Sequence, residues 1–307
     1  MQSKIISLLP AATEIVCALG LEDNLVGRSH ECDFPESVKH LPVCSEANFP
    51  DGLSSAAIDV KVKEILADAL SVYTVKRDLV KQLAPDVVIT QAQCEVCAVS
   101  LKEVEEALEN YLDKDARIIS LQPNSLDDIF NDITTIATAL NVVDASNELL
   151  EGLYERVDII RHKLKFNESK PTVACIEWLE PLMLSGNWVP DLVSAAGGIS
   201  ILTQTGKHSP YVNWEDIRLK NPDVLIVMPC GFPIDRTLKE IDILLQLPGF
   251  SEMKAVKNNR VYIADGNQYF NRPGPRIVDS IEILAEIIHP KQFIFGYEGK
   301  GWIKFSL

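Results

Sequence analysis

Short apolar runs alternate with stretches of helical periodicity along most of the chain. Residues 5–9 form an apolar run of the kind that makes a buried strand. Residues 11–19 carry Ile15, Val16, Ala18 and Leu19 at helical spacing and stop at Gly20, a residue that readily ends a helix. The same reading predicts strands at 25–27, 87–90 and 117–121 and helices at 101–112 and 126–140, with residues 59–83 mostly helical. Residues 145–166 then form one long amphipathic helix, with Ser146 as its N-cap and Leu149, Leu150, Leu153, Val157, Ile160 and Leu164 on one face. About 20 helical residues span roughly 30 Å, long for a crossover between neighbouring strands. The alternation then resumes. Strands are predicted at 172–176, 224–227 and 261–263, and helices at 189–196, 214–219, 238–246, 249–256 and 276–288.

Strands that alternate with helices at this spacing require a parallel sheet with helical crossovers. One segment recurs. Leu83-Ala84-Pro85-Asp86-Val87-Val88-Ile89 matches Leu219-Lys220-Asn221-Pro222-Asp223-Val224-Leu225-Ile226 in residue type, a helix end followed by Pro-Asp and an apolar strand. The predicted fold is therefore α/β, with two Rossmann-like lobes joined by one long backbone helix and a ligand cleft between the lobes. The N-terminal lobe covers 1–144, the linking helix 145–166 and the C-terminal lobe 167–307.

Composition narrows the function classes. The 307 residues include 29 basic and 44 acidic side chains, a formal charge of −15. That field repels nucleic acid and anionic membrane surfaces. No run approaches the about 18 apolar residues of a membrane span, so no membrane insertion is expected. No apolar signal region precedes residue 4, which reads as a cytoplasmic protein, or as a periplasmic or cell-surface one from which a signal has been removed. The seven cysteines are not spaced as a disulfide framework and read as reduced thiols.

The opening Ile5-Ile6-Ser7-Leu8-Leu9-Pro10-Ala11-Ala12-Thr13-Glu14, with Ala18-Leu19-Gly20, resembles the start of the cobalamin- and siderophore-binding components of ABC importers. These are class III periplasmic-binding-protein-like receptors with a helical backbone. The Pro-Asp pair in each half, residues 191–198, Trp214-Glu215-Asp216-Ile217 and Leu247-Pro248-Gly249-Phe250 carry the resemblance on to about residue 290. Residues 29–35, 91–99 and 272–276 are similar to intracellular-looking sequences called cobalamin-binding proteins. The resemblance implies two rigid lobes that sandwich one small-molecule ligand, a monomer, and delivery to an ABC permease. The chain departs from the importers' binding proteins in lacking an evident export signal and in carrying Cys94-x-x-Cys97.

In parallel α/β sheets ligands bind beyond the carboxyl ends of strands. That rule selects loops 9–13, 28–35, 90–99, 122–124, 177–190, 228–233 and 265–275. The candidate ligand-binding residues on them, or close by, are Pro10, Ala11, His30, Gln91, Gln93, Trp178, Asn187, Trp188, His208, Tyr211, Tyr269, Phe270 and Arg272. Trp214 and Phe232 add to the aromatic content. Aromatic faces with a few polar groups suit a large, flat, partly apolar ligand such as a corrinoid, although any one of these rings reads equally well as core. The residues from 10 to 13 open a helix whose free amides suit an anion. Arg272 or Arg276 reads as a carboxylate or phosphate anchor or as loop packing. Glu177 and Glu180 read as ligand contacts, as a docking surface or as solvated carboxylates.

Cys32, Cys94 and Cys97 fall on strand-end loops of the first half and Cys230 on one of the second. The Cys94/Cys97 spacing suits a metal-ligand pair or a redox pair, which His30 and Cys32 would complete as a four-ligand set for zinc or an Fe–S cluster. Structural thiols, or thiol contact with a ligand's metal, fit the same spacing. Cys17 and Cys175 fall inside a helix and a strand, where cysteine is a small core hydrophobe. The sequence contains no Gly-rich phosphate loop, nucleophile elbow or HExxH motif. Three functions remain open: non-catalytic capture of cobalamin or a related metal chelate, an intracellular enzyme or redox or metal sensor built on Cys94 and Cys97, and a module for another metabolite.

Overall fold

The computed structural model describes residues 3–48, 50, 52–67, 73–91, 116–167 and 169–306. The predicted helix at 101–112 lies outside them. The chain divides into two compact units, one of Met1–Leu53, Ala57–Pro123 and Asp127–Glu151, the other of Ser54–Ala56, Asn124–Leu126 and Gly152–Leu307.

The first unit is built on β1 (Ile5–Ser7), β2 (Leu25–Arg28), β5 (Val87–Gln91) and β6 (Arg117–Leu121), in the order β2-β1-β5-β6, all parallel. Every residue of β1 and β5 is buried, the mark of a parallel sheet covered on both faces. Ile6, Leu8, Val80 and Val88 anchor one side of its core. Pro10 opens the helix Pro10–Ala18, where its fixed φ and missing N–H carry no penalty. β3 (Ser45–Ala47) and β4 (Tyr73–Val75) form a separate two-stranded antiparallel sheet, with the helix Ser55–Ala67 between them in sequence. This divides the region 59–83, expected to be mostly helical, into the helix Ser55–Ala67, β4 and the helix Arg77–Leu83. Tyr73 and Val75 turn inward and Thr74 outward, a period-2 pattern too short to read without its partner strand.

The second unit holds β7 (Thr172–Trp178), β8 (Met183–Leu184), β9 (Ile199–Ser200), β10 (Val224–Val227), β11 (Val261–Ala264) and β12 (Trp302–Phe305). Their order is β12-β11-β10-β7-β8, with β9 beside β7. The central strands β7, β10 and β11 are parallel, and β8 and β12 add antiparallel edges. Ala174, Ile176, Leu225, Val227 and Ile263 pack one face of this sheet against Ile217, Leu244 and Phe250. The helix Ile277–Ile288 is buried along its whole length and packs with Val189–Ala195. The two regions expected as single helices at 238–246 and 249–256 are shorter pieces: helices Ile234–Leu238, Asp242–Leu245 and Lys254–Lys257 and the helical turn Phe250–Glu252. Gly249, at φ +72, opens the second region, and Met253, extended at ψ 145, divides it into the turn Phe250–Glu252 and the helix Lys254–Lys257.

The long helix runs Val143–Leu164, with Leu153, Val157 and Ile160 buried, and the division between the units falls within it. Ser146 is not its cap. It lies inside the first turn, where its hydroxyl donates back to the Val143 carbonyl at 2.7 Å. Among the described residues no helix is long and apolar enough to cross a membrane.

The recurring segment does the same work twice. The helices Arg77–Leu83 and Trp214–Lys220 both end on a left-handed residue, Ala84 at φ 47 and Asn221 at φ 44. Each is followed by Pro-Asp and a strand. The Asp86 carboxylate accepts the Lys4 amide at 2.7 Å, at the entrance to β1, which pairs with β5. The Asp223 carboxylate accepts the Thr172 amide at 2.8 Å and its hydroxyl at 2.9 Å, at the start of β7, which pairs with β10. Burial alone would raise the Asp223 carboxyl, but Lys254 and Thr172 outweigh it and hold it below the usual carboxylate range.

The residues beyond 290, for which the sequence pattern predicts no element, fold back onto the second sheet as β12. Glu286, buried on the helix Ile277–Ile288, accepts the amides of Phe295, Gly296 and Tyr297 and the Trp302 indole N–H, the last at 2.7 Å. The neighbouring Glu282 binds Arg156 through Nε at 2.9 Å and Nη2 at 2.7 Å, and the Tyr297 hydroxyl at 2.8 Å.

Candidate ligand-binding site

The second unit gathers aromatic and polar groups at the carboxyl ends of its parallel strands. Trp178 closes β7, half-buried, with its ring 5.2 Å from that of Phe232 in the loop after β10. Its indole N–H donates to the Ser55 carbonyl at 3.2 Å, in the short segment 54–56 of the same unit. The Arg236 guanidinium lies 4.4 Å from the centre of the Phe232 ring, a cation–π contact. Gly231 donates its amide to Gly266, and Gly266 donates to Phe232, so the loops after β10 and β11 are laced together. Cys230, half-buried, sits on this rim.

The loop after β11 is organised by Asp265, whose carboxylate accepts the amides of Asn267 and Gln268 at 2.9 and 2.7 Å. Burial raises the Asp265 carboxyl, opposed by those amides and by Arg272 and Arg276. Tyr269 is half-buried, edge-on to Tyr297 at 6.0 Å, with the Arg276 guanidinium 5.6 Å from its centre. Arg272 is buried, with Nη2 on Asn267 at 3.1 Å. Phe270 is fully buried at φ 57, so its ring packs inside the unit. Trp188 is likewise buried, its indole N–H on the Phe270 carbonyl.

Asn187, half-buried at φ 50, exchanges backbone hydrogen bonds with Lys207 and Gly206, which seats the segment carrying His208 and Tyr211. His208 is exposed, with Nδ1 3.1 Å from the Ser209 carbonyl, and Tyr211 is 56% exposed. Trp214 starts the helix leading into β10; its N–H binds the Pro248 carbonyl at 2.8 Å and its ring lies 6.0 Å from that of Phe250. Glu180 is exposed, and Glu177 is half-buried at the end of β7.

In the first unit, Pro10 is half-buried and Ala11 buried at the carboxyl end of β1, and no side chain caps that helix. Gln91, at the end of β5, is 8% exposed. His30 follows β2, its Nδ1 2.9 Å from the Ser45 hydroxyl and its ring 5.0 Å from that of Tyr73. The Tyr73 hydroxyl donates to Glu31. Cys32 is fully buried, its sulfur accepting from Thr13 at 3.0 Å and lying 3.2 Å from the Ser29 hydroxyl. Gln93, Cys94 and Cys97 lie outside the described residues. Among those described, no three His, Cys, Asp or Glu side chains are grouped to hold a metal ion. Cys175 is buried in β7 with its thiol pushed up to about 12 by burial, whereas Cys17 is only half-buried on its helix.

The chain is 26% identical over 304 residues to the uncharacterized ABC transporter substrate-binding lipoprotein YvrC of Bacillus subtilis (strain 168), covering 94% of this chain and 81% of the relative. It is 23% identical over 284 residues to the vitamin B12-binding protein of Vibrio parahaemolyticus, covering 92% and 88%. The crystal structure of a periplasmic heme-binding protein from Pseudomonas aeruginosa superimposes with a TM-score of 0.72 at 18% identity, over 100% of this chain and 99% of the other. The family model for periplasmic binding proteins matches residues 5–267. With the match running from β1 through β11, over most of the chain, the chain belongs to the periplasmic binding protein family.

Proposed function

We propose that this protein captures a corrinoid, or a closely related metal chelate, as the substrate-binding component of an ABC importer. The similarity to a vitamin B12-binding protein over 92% of the chain is the observation that carries the reading. The loops after β7 and β11 offer ring faces in Trp178 and Tyr269, and the segments after β8 and β9 offer the polar Asn187 and His208. Pro10, Ala11, His30 and Gln91 offer the corresponding strand-end positions of the first unit. A component of this kind hands its ligand to a permease and works outside the cytoplasmic membrane.

The heme-binding protein with the same fold makes hemin the rival ligand. Purified protein titrated with cyanocobalamin and with hemin, followed by visible absorbance and calorimetry, decides between them. Cobalamin is expected to bind more tightly. Failure of both to bind below about 100 µM overturns capture of a metal macrocycle. The Cys94-x-x-Cys97 spacing supports an additional metal or redox role. Stoichiometric zinc or iron in anaerobically purified protein, lost in Cys94→Ser and Cys97→Ser, is its signature.

A further inference from the structure

The chain after the helix Ile277–Ile288 returns to the strand-end loop that carries Tyr269. That loop begins at Asp265, whose amide donates to the Gly301 carbonyl at 2.9 Å. Gly301 passes close to the ring: a Cβ there would stand 3.3 Å from Tyr269 Cε2 and 2.7 Å from Ile283 Cδ1. The Gly301 amide donates to the Tyr297 carbonyl at 2.8 Å. The rings of Tyr297 and Tyr269 meet edge-on, 6.0 Å apart with 82° between their planes. Tyr297 is held at both ends. Its amide donates to Glu286 at 3.3 Å and its hydroxyl to Glu282 at 2.8 Å. Glu282 is fixed in turn by Arg156 of the long helix, at 2.9 and 2.7 Å, and Arg156 also binds Asp279 at 2.6 Å. Contacts therefore run from the long helix through Tyr297 to the Tyr269 ring, all within the second unit.

We propose that Tyr297 is a positioning residue for ligand capture, holding the Tyr269 ring in the orientation that receives a macrocycle and acting through that ring. This rests on the capture of a metal macrocycle proposed above. An aromatic side chain that is fixed before its ligand arrives loses little rotamer freedom on stacking, so its contact area converts more fully into affinity. Tyr269 is half-buried, which leaves part of its surface for a ligand while Tyr297, Gly301 and Arg276 hold the rest. An edge-on ring pair also favours one mutual geometry over others, which a merely apolar neighbour does not. The anchoring of residues 295–302 on Glu282 and Glu286 thus sets the shape of a strand-end loop that precedes it by more than twenty residues.

The test is a double-mutant cycle on the full chain, titrated with cyanocobalamin and with hemin. Tyr297→Leu should weaken binding of the captured macrocycle about fivefold, the scale of one lost ring pair and the freedom it releases. Tyr297→Phe keeps the ring and should bind within about twofold of the native protein. In a Tyr269→Leu background Tyr297→Leu should cost nothing further, because the ring it positions is gone. A purely structural role would give losses that add. Additive losses, native affinity in Tyr297→Leu, or a loss in Tyr297→Phe as large as in Tyr297→Leu overturns the assignment while macrocycle capture stands. If neither macrocycle binds the native protein, the capture reading fails, and hydrogen exchange in the ligand-free chain still decides the positioning. Exchange at least fivefold faster across residues 265–271 in Tyr297→Leu, with β10 unchanged, supports it, and equal exchange or a rise shared by β10 overturns it.

Discussion

The indole N–H of Trp188 donates to the main-chain carbonyl of Phe270 at 2.7 Å, across 82 positions of sequence. Phe270 is held at a left-handed φ of 57, and its own amide donates to the Ser280 hydroxyl at 2.9 Å. The sequence puts both residues among the candidate ligand contacts. Both are buried, and together they fix the loop that carries Tyr269 and Arg272.

Replacing Trp188 by Phe keeps a ring but removes the donor, leaving the buried Phe270 carbonyl unpaired. The expected cost is about 1–3 kcal/mol. Scanning calorimetry should show a transition lowered by several degrees, at roughly 2–4 °C per kcal/mol for a domain of this size. Trp188→Ala should cost more, about 3–5 kcal/mol, because it also opens a cavity. An unchanged transition in Trp188→Phe would show that the bond contributes nothing.

Glu286 anchors residues 295–302 through three amides and one indole. Glu286→Gln removes the charge and one acceptor oxygen, a loss of about 2 kcal/mol confined to that segment. Hydrogen exchange read by mass spectrometry should quicken at least tenfold across residues 295–302, while β10 keeps its protection. Equal exchange in the two proteins would mean that β12 is held by its pairing with β11 alone.

Asp132, on the helix Leu126–Ala139, has its carboxyl pushed up to about 7 by burial, with Asp128 one turn earlier adding to the shift. Its native form is therefore the neutral acid at pH values where the unfolded chain is ionised. The stability contributed by that proton is fully present below about pH 4 and is lost as pH rises through about 7. Asp132→Asn should match the native protein near pH 4 and be more stable at pH 8. The gain is about 1 kcal/mol, because solvent screening at this half-buried site reduces the full effect. Parallel melting curves at the two pH values measure it, and coincident curves at pH 8 would refute the assignment.

Much of the architecture is legible in the sequence because local pattern and burial agree. The apolar runs at 87–90 and 224–227 form strands because they are buried on both faces, and the Pro-Asp echo marks an equivalent joint in each sheet. The pairing of β3 and β4 is hidden because each strand has three residues and its partner lies far away in sequence. The start of the long helix is ambiguous at Ser146 because a serine hydroxyl serves an N-cap or an i−3 carbonyl equally well, and the sequence does not distinguish them. Trp214 groups with the ligand-side aromatics on proximity in sequence, but its N–H is taken by the Pro248 carbonyl and its ring lies beside Phe250, contacts that no local pattern shows.

The sequence by itself determined the alternation of strand and helix, the long helix near mid-chain and the choice of strand-end loops, since all three follow from periodicity and chain direction. Only tertiary structure decided which groups on those loops are packing and which are presented. That depends on approaches between distant segments: Trp188 onto Phe270, and Gly186 against residues 207–209. Burial of a side chain is a property of what surrounds it, and no local pattern encodes it.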